Sequence, residues 1–526
     1  MRGNATRHTR AGARNPPVNE ATARQFTVPA PYAGWNARGN IANMSPLEAI
    51  TMDNIFPGVQ DVMLRKGSES WSIGYAADIQ TLHSYDSATS SKLFASTNSG
   101  IYDATSAGTV GAAVAACTDG QWESVNYATT GGSFLTMVNG VDNAKLYDGT
   151  TWETVTAVSA HAITGVLTTS LIHVTVHKKR LWFVEKGSMN LWYLPSDSVA
   201  GAATRFPVGG IFRHGGKLVA TATWTMDSGN GIDDYFVIAT SKGELAVYQG
   251  TDPASSTTWS LVGVYFVGSP VGRKPFTKYG GDLLFLCDNG LYPLSKLMQS
   301  AVVDRTQAIS FKIDGALQAA VTDYRDNVGW QMLVFPLGNF LLVNIPTGDS
   351  NTIQQFVMNL TTKAWCRFRD WAAVAWTLHG EELFFATARS VVKAWTGASD
   401  AGAPIQAIAI QAYSTLGYSG QKHVGLIRPV FLLQGNASIR YALDTDFFAI
   451  GDASMVMYTG ATEALWDSAL WDISTWDSVG EKSSPHWRTV SNLPGYMHSF
   501  RMQVTATDAT WTWTATSFSY KPGGVL

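Results

Sequence analysis

The stretch that decides the fold is FVIATSKGELAVY, residues 236–248, which reads as a β-hairpin. Four consecutive apolar residues, Phe236 to Ala239, form the first strand. A polar turn ending at Gly243 follows, and a second apolar strand closes on Tyr248. Two short apolar runs separated by a turn that contains glycine are typical of a β-hairpin.

Six further stretches repeat this pattern along the chain. They are residues 93–103, 134–149, 181–193, 283–292, 332–343 and 383–395. The seven hairpins begin at residues 93, 134, 181, 236, 283, 332 and 383, so successive starts lie 41 to 55 residues apart. A hairpin repeat of about 40–50 residues is the period of a propeller blade. The sequence therefore predicts an all-β fold with a degenerate β-propeller of six or seven blades over residues 76–400, and consecutive β-sandwich domains are the alternative.

The segments on either side of the propeller, residues 25–75 and 401–526, are predicted to form a β-rich platform. One helix is also predicted here, because Ser45-Pro46-Leu47-Glu48 has the form of a capping box. The expected helix is short and spans residues 46–54, since Pro57 prevents its continuation.

Residues 1–24 form a basic arm with almost no side chains able to build a core. Its arginines include Arg2, Arg7, Arg10 and Arg14, against one acidic residue, Glu20. A segment without its own core is ordered only where something else holds it. We expect the arm to dock on a neighbouring subunit or a partner protein, and binding to DNA phosphates is the alternative.

Three Trp-Asp pairs recur every five residues in the C-terminal region. Their tryptophans are Trp466, Trp471 and Trp476. A spacing of five places them neither on one helical face nor on one face of a strand. This pattern indicates an extended segment in which each indole is an anchor at an interface, and stacking on sugar rings is the alternative.

No catalytic, cofactor-binding or metal-binding motif is found. The sequence contains no phosphate-binding GxxxxGK[ST] loop, no GxSxG, no HExxH and no EF-hand loop. His173 and His177 share one face of a predicted strand, but no further ligands lie nearby, so we interpret them as structural. The cysteines Cys117, Cys287 and Cys366 lie far apart and are expected to be buried thiols.

Two groups of aspartates were weighed as sites. In YDGTTW, Asp148 is adjacent to Gly149, whereas the Asp-box turn of sialidase propellers has one residue between them. A hairpin turn in which Asp148 accepts local backbone N–H groups is the better interpretation. Asp444 and Asp446 are spaced to share one strand face, where a solvated strand end is favoured over a cation or sugar site.

The composition narrows the class of protein. Over 526 residues the formal net charge is −3 and only 15% of residues are charged, against roughly 25% in an ordinary soluble domain. Near-neutrality argues against a protein that coats nucleic acid. Apolar residues make up 45% of the chain, yet no apolar run approaches the ~20 residues of a membrane span. Low charge together with 19 tryptophans favours burial of surface against other chains.

Residues 31–67, PYAGWNARGNIANMSPLEAITMDNIFPGVQDVMLRKG, resemble the N-terminal signature of tail proteins of short-tailed, podovirus-type bacteriophages. The motif residues, in chain order, are Pro31, Gly34, Asn36, Met44, Pro46, Ala49, Asn54, Pro57, Arg65 and Gly67. KLFASTNSGIYDATSAGTVGA and NAKLYDGTTW further along the chain are similar to the same family. The resemblance covers residues 26–526.

The family is that of the tail nozzle or hub, also described as a packaged-DNA stabilisation protein. The resemblance implies a homohexameric ring below the portal adaptor, with a propeller and a platform that bind the adaptor and the tail fibres or spikes. It implies that genomic double-stranded DNA passes through the ring, that loops retain it until ejection, and that the protein is part of the virion tail, made in the host bacterial cytoplasm. It implies no enzymatic activity and no cofactor.

Two other functions remain open from the sequence. The first is a carbohydrate-binding or glycoside-hydrolysing propeller that acts on host surface polysaccharide, supported by the Trp-Asp series with Asp444 and Asp446. The second is a receptor-binding fibre, which is less favoured because neither heptads nor β-helix repeats are present.

Overall fold

Seven small antiparallel β-sheets follow one another in the computed structural model of the chain, within the described residues 22–227, 232–298, 304–349, 352–449, 454–458, 482–483, 486–490 and 492–523. We call them blades 1 to 7. The first four blades consist of Ile79–Asp86, Ser91–Thr97 and Gly100–Asp103; Glu123–Thr129, Gly132–Val138, Lys145–Tyr147 and Trp152–Thr154; Leu171–His177, Arg180–Glu185, Asn190–Tyr193 and Thr204–Pro207; and Leu218–Asp227, Ile232–Thr240, Glu244–Gly250 and Trp259–Phe266.

The remaining three blades complete the series. They consist of Phe276–Tyr279, Asp282–Cys287 and Gly290–Pro293; Gln331–Phe335, Phe340–Ile345, Gln354–Asn359 and Trp365–Phe368; and Ala375–His379, Glu382–Ala386, Ser390–Ala394 and Ser68–Ile73. Each of the seven predicted hairpins is present. In blade 6, however, the predicted hairpin forms the first and second strands rather than the second and third.

The blades close into a ring. The innermost strand of each blade contacts that of the next, and the innermost strand of blade 7, Ala375–His379, contacts that of blade 1, Ile79–Asp86. Blade 7 is completed by Ser68–Ile73, which pairs antiparallel with Ser390–Ala394. The predicted all-β fold, a propeller with a platform, is confirmed, and the described residues form seven blades. The propeller begins earlier than the predicted residue 76, because its closing strand comes from the N-terminal segment.

Alternation along the strands explains how neighbouring blades adhere. Phe236 and Ile238 pack toward blade 3, in a cluster with Trp182. Val237 and Ala239 pack toward blade 5. Because successive side chains of a strand point to opposite faces, a strand that lies between two blades is apolar at every position. This is why 236–239 reads as an unbroken apolar run.

The predicted helix at residues 46–54 is wrong, because Glu48–Asp53 is a β-strand. Ser45 does accept a hydrogen bond, from Leu47 N at 3.3 Å, but the turn ends there. Glu48 does not fold back onto Ser45 and instead contacts Asn36 and Lys312. Strand pairing with Ile405–Gln411, more than 350 residues away, overrides the local capping signal.

The platform is built around two long paired strands, Lys422–Thr445 and His498–Pro522. Both bend at the same level, where Gly435 has φ +91° and Asp508 has φ +51°. The pairing register shifts at this point. The two halves of the strand pair therefore belong to two layers, as at the corners where strands pass from one sheet to another.

The layers face each other across an aromatic core. The Phe500 ring, in the first half of its strand, lies 5.6 Å from the Trp513 ring and 6.1 Å from the Phe518 ring in the second half. Backbone hydrogen bonds between Lys422 and Gly495 join the free ends of the layers. The predicted strands at 500–504 and 510–514 are thus two halves of one bent strand.

The N-terminal and C-terminal segments meet in this platform, as predicted. Arg24–Pro29 pairs with 515–520, and Glu48–Asp53 pairs with Ile405–Gln411. Asp53 also pairs with Arg367 of blade 6, so one sheet continues from the propeller into the platform. The remaining short strands are Gly34–Trp35, Ile55–Pro57, Val62–Leu64, Gly108–Thr109, Ile163–Thr164, Gly201–Ala202, Ser454–Tyr458, Lys482–Ser483 and Arg488–Thr489.

Helices are few in the described residues. Blade 5 has three strands there and is followed by the helices Leu294–Leu297 and Asp314–Tyr324. The 3₁₀ turns are Ile41–Asn43, Thr168–Ser170, Gly209–Ile211, Arg305–Gln307 and Phe311–Ile313. Within the described part of the chain, no helix has both the length and the apolar character needed to cross a membrane.

Candidate functional site: the junction of propeller and platform

The residues predicted to contact partners lie outside the described part of the chain. These are Arg2, Arg7, Arg10 and Arg14 of the arm and Trp466, Trp471 and Trp476 of the Trp-Asp series. The functional analysis therefore rests on the junction of propeller and platform, the propeller axis and the exposed end of the platform.

The junction is centred on Arg65, whose side chain is fully buried. Its guanidinium donates to both carboxylate oxygens of Asp400 at 3.0 and 2.6 Å and to Asn54 Oδ1 at 2.9 Å. It also donates to the carbonyl oxygens of Lys66 and Arg369 and lies 4.3 Å from the centre of the Trp371 ring. Every face of this buried cation is thus occupied, which is the condition under which a buried charge is tolerated.

Asn54 is the second element of the junction. It has φ +56°, a left-handed conformation that asparagine adopts more readily than most residues. Its side-chain amide donates to Asp370 at 3.0 Å and to the carbonyl oxygen of Gln406 at 2.7 Å. One side chain therefore bridges the end of blade 6 and the first strand of the C-terminal segment.

Two glycines of the N-terminal motif allow close backbone contact at the junction. A Cβ at Gly67 would overlap the carbonyl oxygen of Ser399. Gly34 has φ +83°, and a Cβ there would lie 2.6 Å from the carbonyl oxygen of Trp365. Pro57 contributes its carbonyl oxygen, which accepts from Asn359 Nδ2 at 2.9 Å. The motif at 31–67 therefore consists largely of residues that join the platform to blades 6 and 7.

The propeller axis is obstructed at one end. Arg273, which precedes the first strand of blade 5, donates to the carbonyl oxygens of Gln121 (3.1 Å), Asn139 (3.3 Å) and Ile172 (3.3 Å). These carbonyls belong to blades 2 and 3, so a single side chain spans the axis. The major groove of a duplex alone is about 12 Å wide, so this axis does not admit DNA.

Histidines line the inner strands next to this end. His83 accepts from Ser124 Oγ and donates to Thr81 Oγ1, since Thr81 Oγ1 itself donates to the Gly120 carbonyl. His173 donates to the Thr221 carbonyl at 2.9 Å. Burial lowers the pKa of both, and the Lys274 charge lowers the pKa of His83 further. Both rings are therefore neutral at pH 7.

The remaining sequence candidates have local partners. His177 lies between the Phe236 and Trp259 rings and 3.2 Å from Thr223 Oγ1, and the described residues contain no group of three metal ligands. Asp148 accepts from the backbone N–H groups of Thr150 and Thr151, which confirms the predicted turn and lowers its pKa.

The other predicted polar and sulfur sites are also occupied locally. Asp444 contacts Arg501 at 2.8 Å, and Asp446 accepts from the backbone N–H groups of Tyr496 and Met497. The three cysteines are buried and free, as predicted.

Apolar side chains are exposed at the end of the platform where its layers meet. Phe448 is 75% exposed, Leu493 62% and Tyr496 56%. Phe447 packs on Tyr413 and has φ +69°, an unfavourable conformation for an aromatic residue. By contrast, every described tryptophan is buried or half-buried. The described residues therefore offer no exposed indole for stacking on a sugar.

No family model and no curated protein matches the chain. Among solved structures it is similar to BBS1N in its complex with ARL6DN (11% identity, 63% of this chain, 99% of that chain, TM-score 0.38). It is also similar to Sqt1 of Saccharomyces cerevisiae (10% identity, 62% and 98%, TM-score 0.33). A third similarity is to a glycoside hydrolase family 43 arabinoxylan arabinofuranohydrolase from Bacillus subtilis (9% identity, 89% and 94%, TM-score 0.24).

Proposed function

We propose that the chain is the nozzle or hub subunit of a short-tailed bacteriophage tail, a structural protein without enzymatic activity. Six copies form a ring below the portal adaptor, and the ring carries the tail fibres or spikes. Genomic DNA leaves the particle through the ring, which retains it until ejection. The protein is made in the host bacterial cytoplasm and resides in the virion.

The observation that carries this proposal is the convergence of the N-terminal motif on one junction. Gly34, Asn54, Pro57, Arg65 and Gly67 are far from the strands they contact in sequence, yet each contributes to the contact between platform and propeller. A motif whose members share one architectural role supports the family resemblance better than matched letters alone.

The obstructed axis assigns the DNA path to the space between subunits. A ring that DNA slides through needs few phosphate contacts, since each contact with Lys or Arg strengthens binding. The net charge of −3 agrees with such a conduit. Exposed apolar side chains at the end of the platform supply surface for contact between chains.

Oligomeric state is the test. The full-length chain, alone and mixed with its adaptor protein, is sized by light scattering and imaged in negative stain. We expect six-fold rings whose central opening admits a duplex. A monomer in both conditions overturns the proposal.

Substitution of Trp466, Trp471 and Trp476 by alanine together distinguishes the main alternative. We expect weaker assembly or adaptor binding, while Val158→Ala, at a propeller residue that is 93% exposed, leaves both unchanged. If the triple variant instead assembles normally and loses binding to host polysaccharide on a glycan array, the carbohydrate function replaces the tail function.

A further inference from the structure

A cavity of about 470 Å³ opens at the obstructed end of the propeller axis. Its wall combines residues from before or within the innermost strands of six blades: Gln80, Gln121, Lys217, Lys274, Gln331 and Val374. Cavities of 300–1,000 Å³ with a few convergent polar groups are the usual form of a ligand site.

The wall carries an excess of positive charge. Its basic residues are Lys217, Arg273, Lys274 and Arg325, and its acidic residues are Glu123 and Asp326, so the sum is +2. Asp326 is exposed to solvent, whereas Glu123 is 7% exposed. Glu123 is the buried carboxylate of the wall, and it faces more than one cation.

Arg273 is fixed without a carboxylate. Its guanidinium is bound by three backbone carbonyls, which satisfy its hydrogens but do not cancel its charge. Lys274 lies 3.8 Å from Glu123, too far for a hydrogen bond. Arg325 lies 3.8 Å from Asp288 and donates to the carbonyl oxygen of Pro270. The cations are thus held near the axis with one weakly engaged buried acid among them.

The neighbouring histidines add no negative charge and use their own hydrogens elsewhere. His83 is bound between Ser124 and Thr81, and His173 donates to Thr221. The lowered pKa of His83 has the Lys274 charge as one of its causes, which is independent evidence of a positive field at this end. An uncompensated charge in a low-dielectric cavity favours binding of a counter-ion.

We propose that this axial cavity binds a phosphate-class oxyanion, held by Lys274 and Lys217 with Arg325 at the rim. Several N–H donors around one cavity suit the multiple acceptors of a phosphate better than a halide. The bound anion joins blades 4, 5 and 6 at the axis and stabilises the closed ring. The site lies within one propeller, so its outcome is independent of the hexamer test.

Titration of the full-length chain with inorganic phosphate tests the proposal. Calorimetry and thermal unfolding at pH 7.5 are compared with chloride at equal ionic strength. We expect saturable heat and a rise in the unfolding midpoint with phosphate alone. A parallel titration with glycerol 3-phosphate distinguishes free phosphate from an organic phosphate ester as the preferred source. Equal effects of phosphate and chloride overturn the proposal.

Three substitutions make the test specific. Lys274→Gln is expected to weaken phosphate binding about tenfold or more, since a hydrogen bond to a charged group contributes about 1.5–3 kcal/mol. Glu123→Gln removes the competing carboxylate and is expected to tighten binding. Lys278→Gln, on the same strand but exposed and outside the cavity, is the control and leaves binding unchanged.

The opposite signs of Lys274→Gln and Glu123→Gln separate a site from a merely structural ion pair. If both variants bind phosphate as the unmodified chain does, the site is rejected. Should Lys274→Gln fail to fold, Lys217→Gln at the exposed rim takes its place with the same expected direction.

Discussion

At the scale of single residues, Arg65 shows how a local motif acts across the chain. It follows the apolar strand Val62–Leu64, yet its guanidinium is bound by Asp400, 335 positions away. Trp371 covers the guanidinium and donates its own indole hydrogen to Asp400 at 2.9 Å. The carboxylate is therefore held from two sides, and the three residues act as one unit.

Replacement of Arg65 is expected to weaken the whole junction. Arg65→Met leaves Asp400 without its cation, and breaking a buried ion pair in this way costs about 3–5 kcal/mol. Denaturant unfolding followed by tryptophan fluorescence measures the loss, since Trp371 lies on the guanidinium. Arg389→Met is the matched control, because its ion pair with Asp78 is largely exposed and contributes at most about 1 kcal/mol. Equal losses in the two variants would show that the junction is not held by Arg65.

At the scale of elements, the bend in the long strands decides the form of the platform. Without it, 24 residues of extended strand would span about 80 Å, and no core could form between the halves. The bend brings Phe500 against Trp513 and Phe518. Gly435 makes it feasible, because a Cβ there would approach the carbonyl oxygen of Asp508 to 2.6 Å.

Gly435→Ala is expected to destabilise the platform. The substitution adds a Cβ at φ +91°, in a region that costs a non-glycine residue about 1–3 kcal/mol. Gly425→Ala is the matched control on the same strand, since nothing lies within 4 Å of a Cβ there. The readout is the near-ultraviolet circular dichroism of the Trp511 and Trp513 environment during thermal unfolding. If both variants unfold at the same temperature, the bend does not depend on Gly435.

The elements that the sequence predicts correctly are those whose partners lie nearby. Each hairpin pairs two strands a few residues apart, and unbroken apolar runs such as 236–239 record contact with a blade on each side. Ser68–Ile73 escapes prediction because its partner lies more than 300 residues away. The strand Glu48–Asp53 is mistaken for a helix for the same reason, since its pairing partner carries no local signal.

The site residues divide in the same way. Asp148 is assigned correctly because its hydrogen bonds go to Thr150 and Thr151 in the same turn. Arg65 appears in the motif, but its role depends on Asp400 and Trp371, which nothing near it in sequence indicates. Arg273 gives only a weak signal, a cation pair in a loop before a strand, and its position on the axis follows from ring closure alone.

At the scale of the whole molecule, propeller and platform share a continuous core. One cluster of buried side chains runs from Leu284 of blade 5 through Phe340 of blade 6 and Trp376 of blade 7 to Phe500 and Trp513 of the platform. The sheet that passes from blade 6 into the platform follows the same route. A force on the platform is therefore transmitted to three blades, which suits a subunit held in an assembly.

Buried neutral histidines make the fold as a whole sensitive to acid. His83 and His173 lie in the propeller near the axis, His177 lies on the same strand as His173, and His498 lies in the platform. Burial is the main cause of a lowered pKa at each, and the pKa reaches about 4 at His177 and His498. As pH falls below 6.5 the unfolded chain takes up protons at these positions while the folded chain does not, so stability falls between pH 6.5 and about 4.

The unfolding midpoint is accordingly expected to drop as pH is lowered from 7 to 4.5, and His177→Gln is expected to drop less. A pKa lowered from 6.5 to about 4 at a side chain that is 1% exposed corresponds to at most about 3 kcal/mol lost across this window. His423→Gln, at an exposed position of the platform, is the control and should follow the unmodified chain. Thermal unfolding in matched buffers of constant ionic strength measures the three curves. If His177→Gln parallels the unmodified chain throughout, acid sensitivity arises elsewhere, and the neutral state of His177 between the Phe236 and Trp259 rings contributes nothing to it.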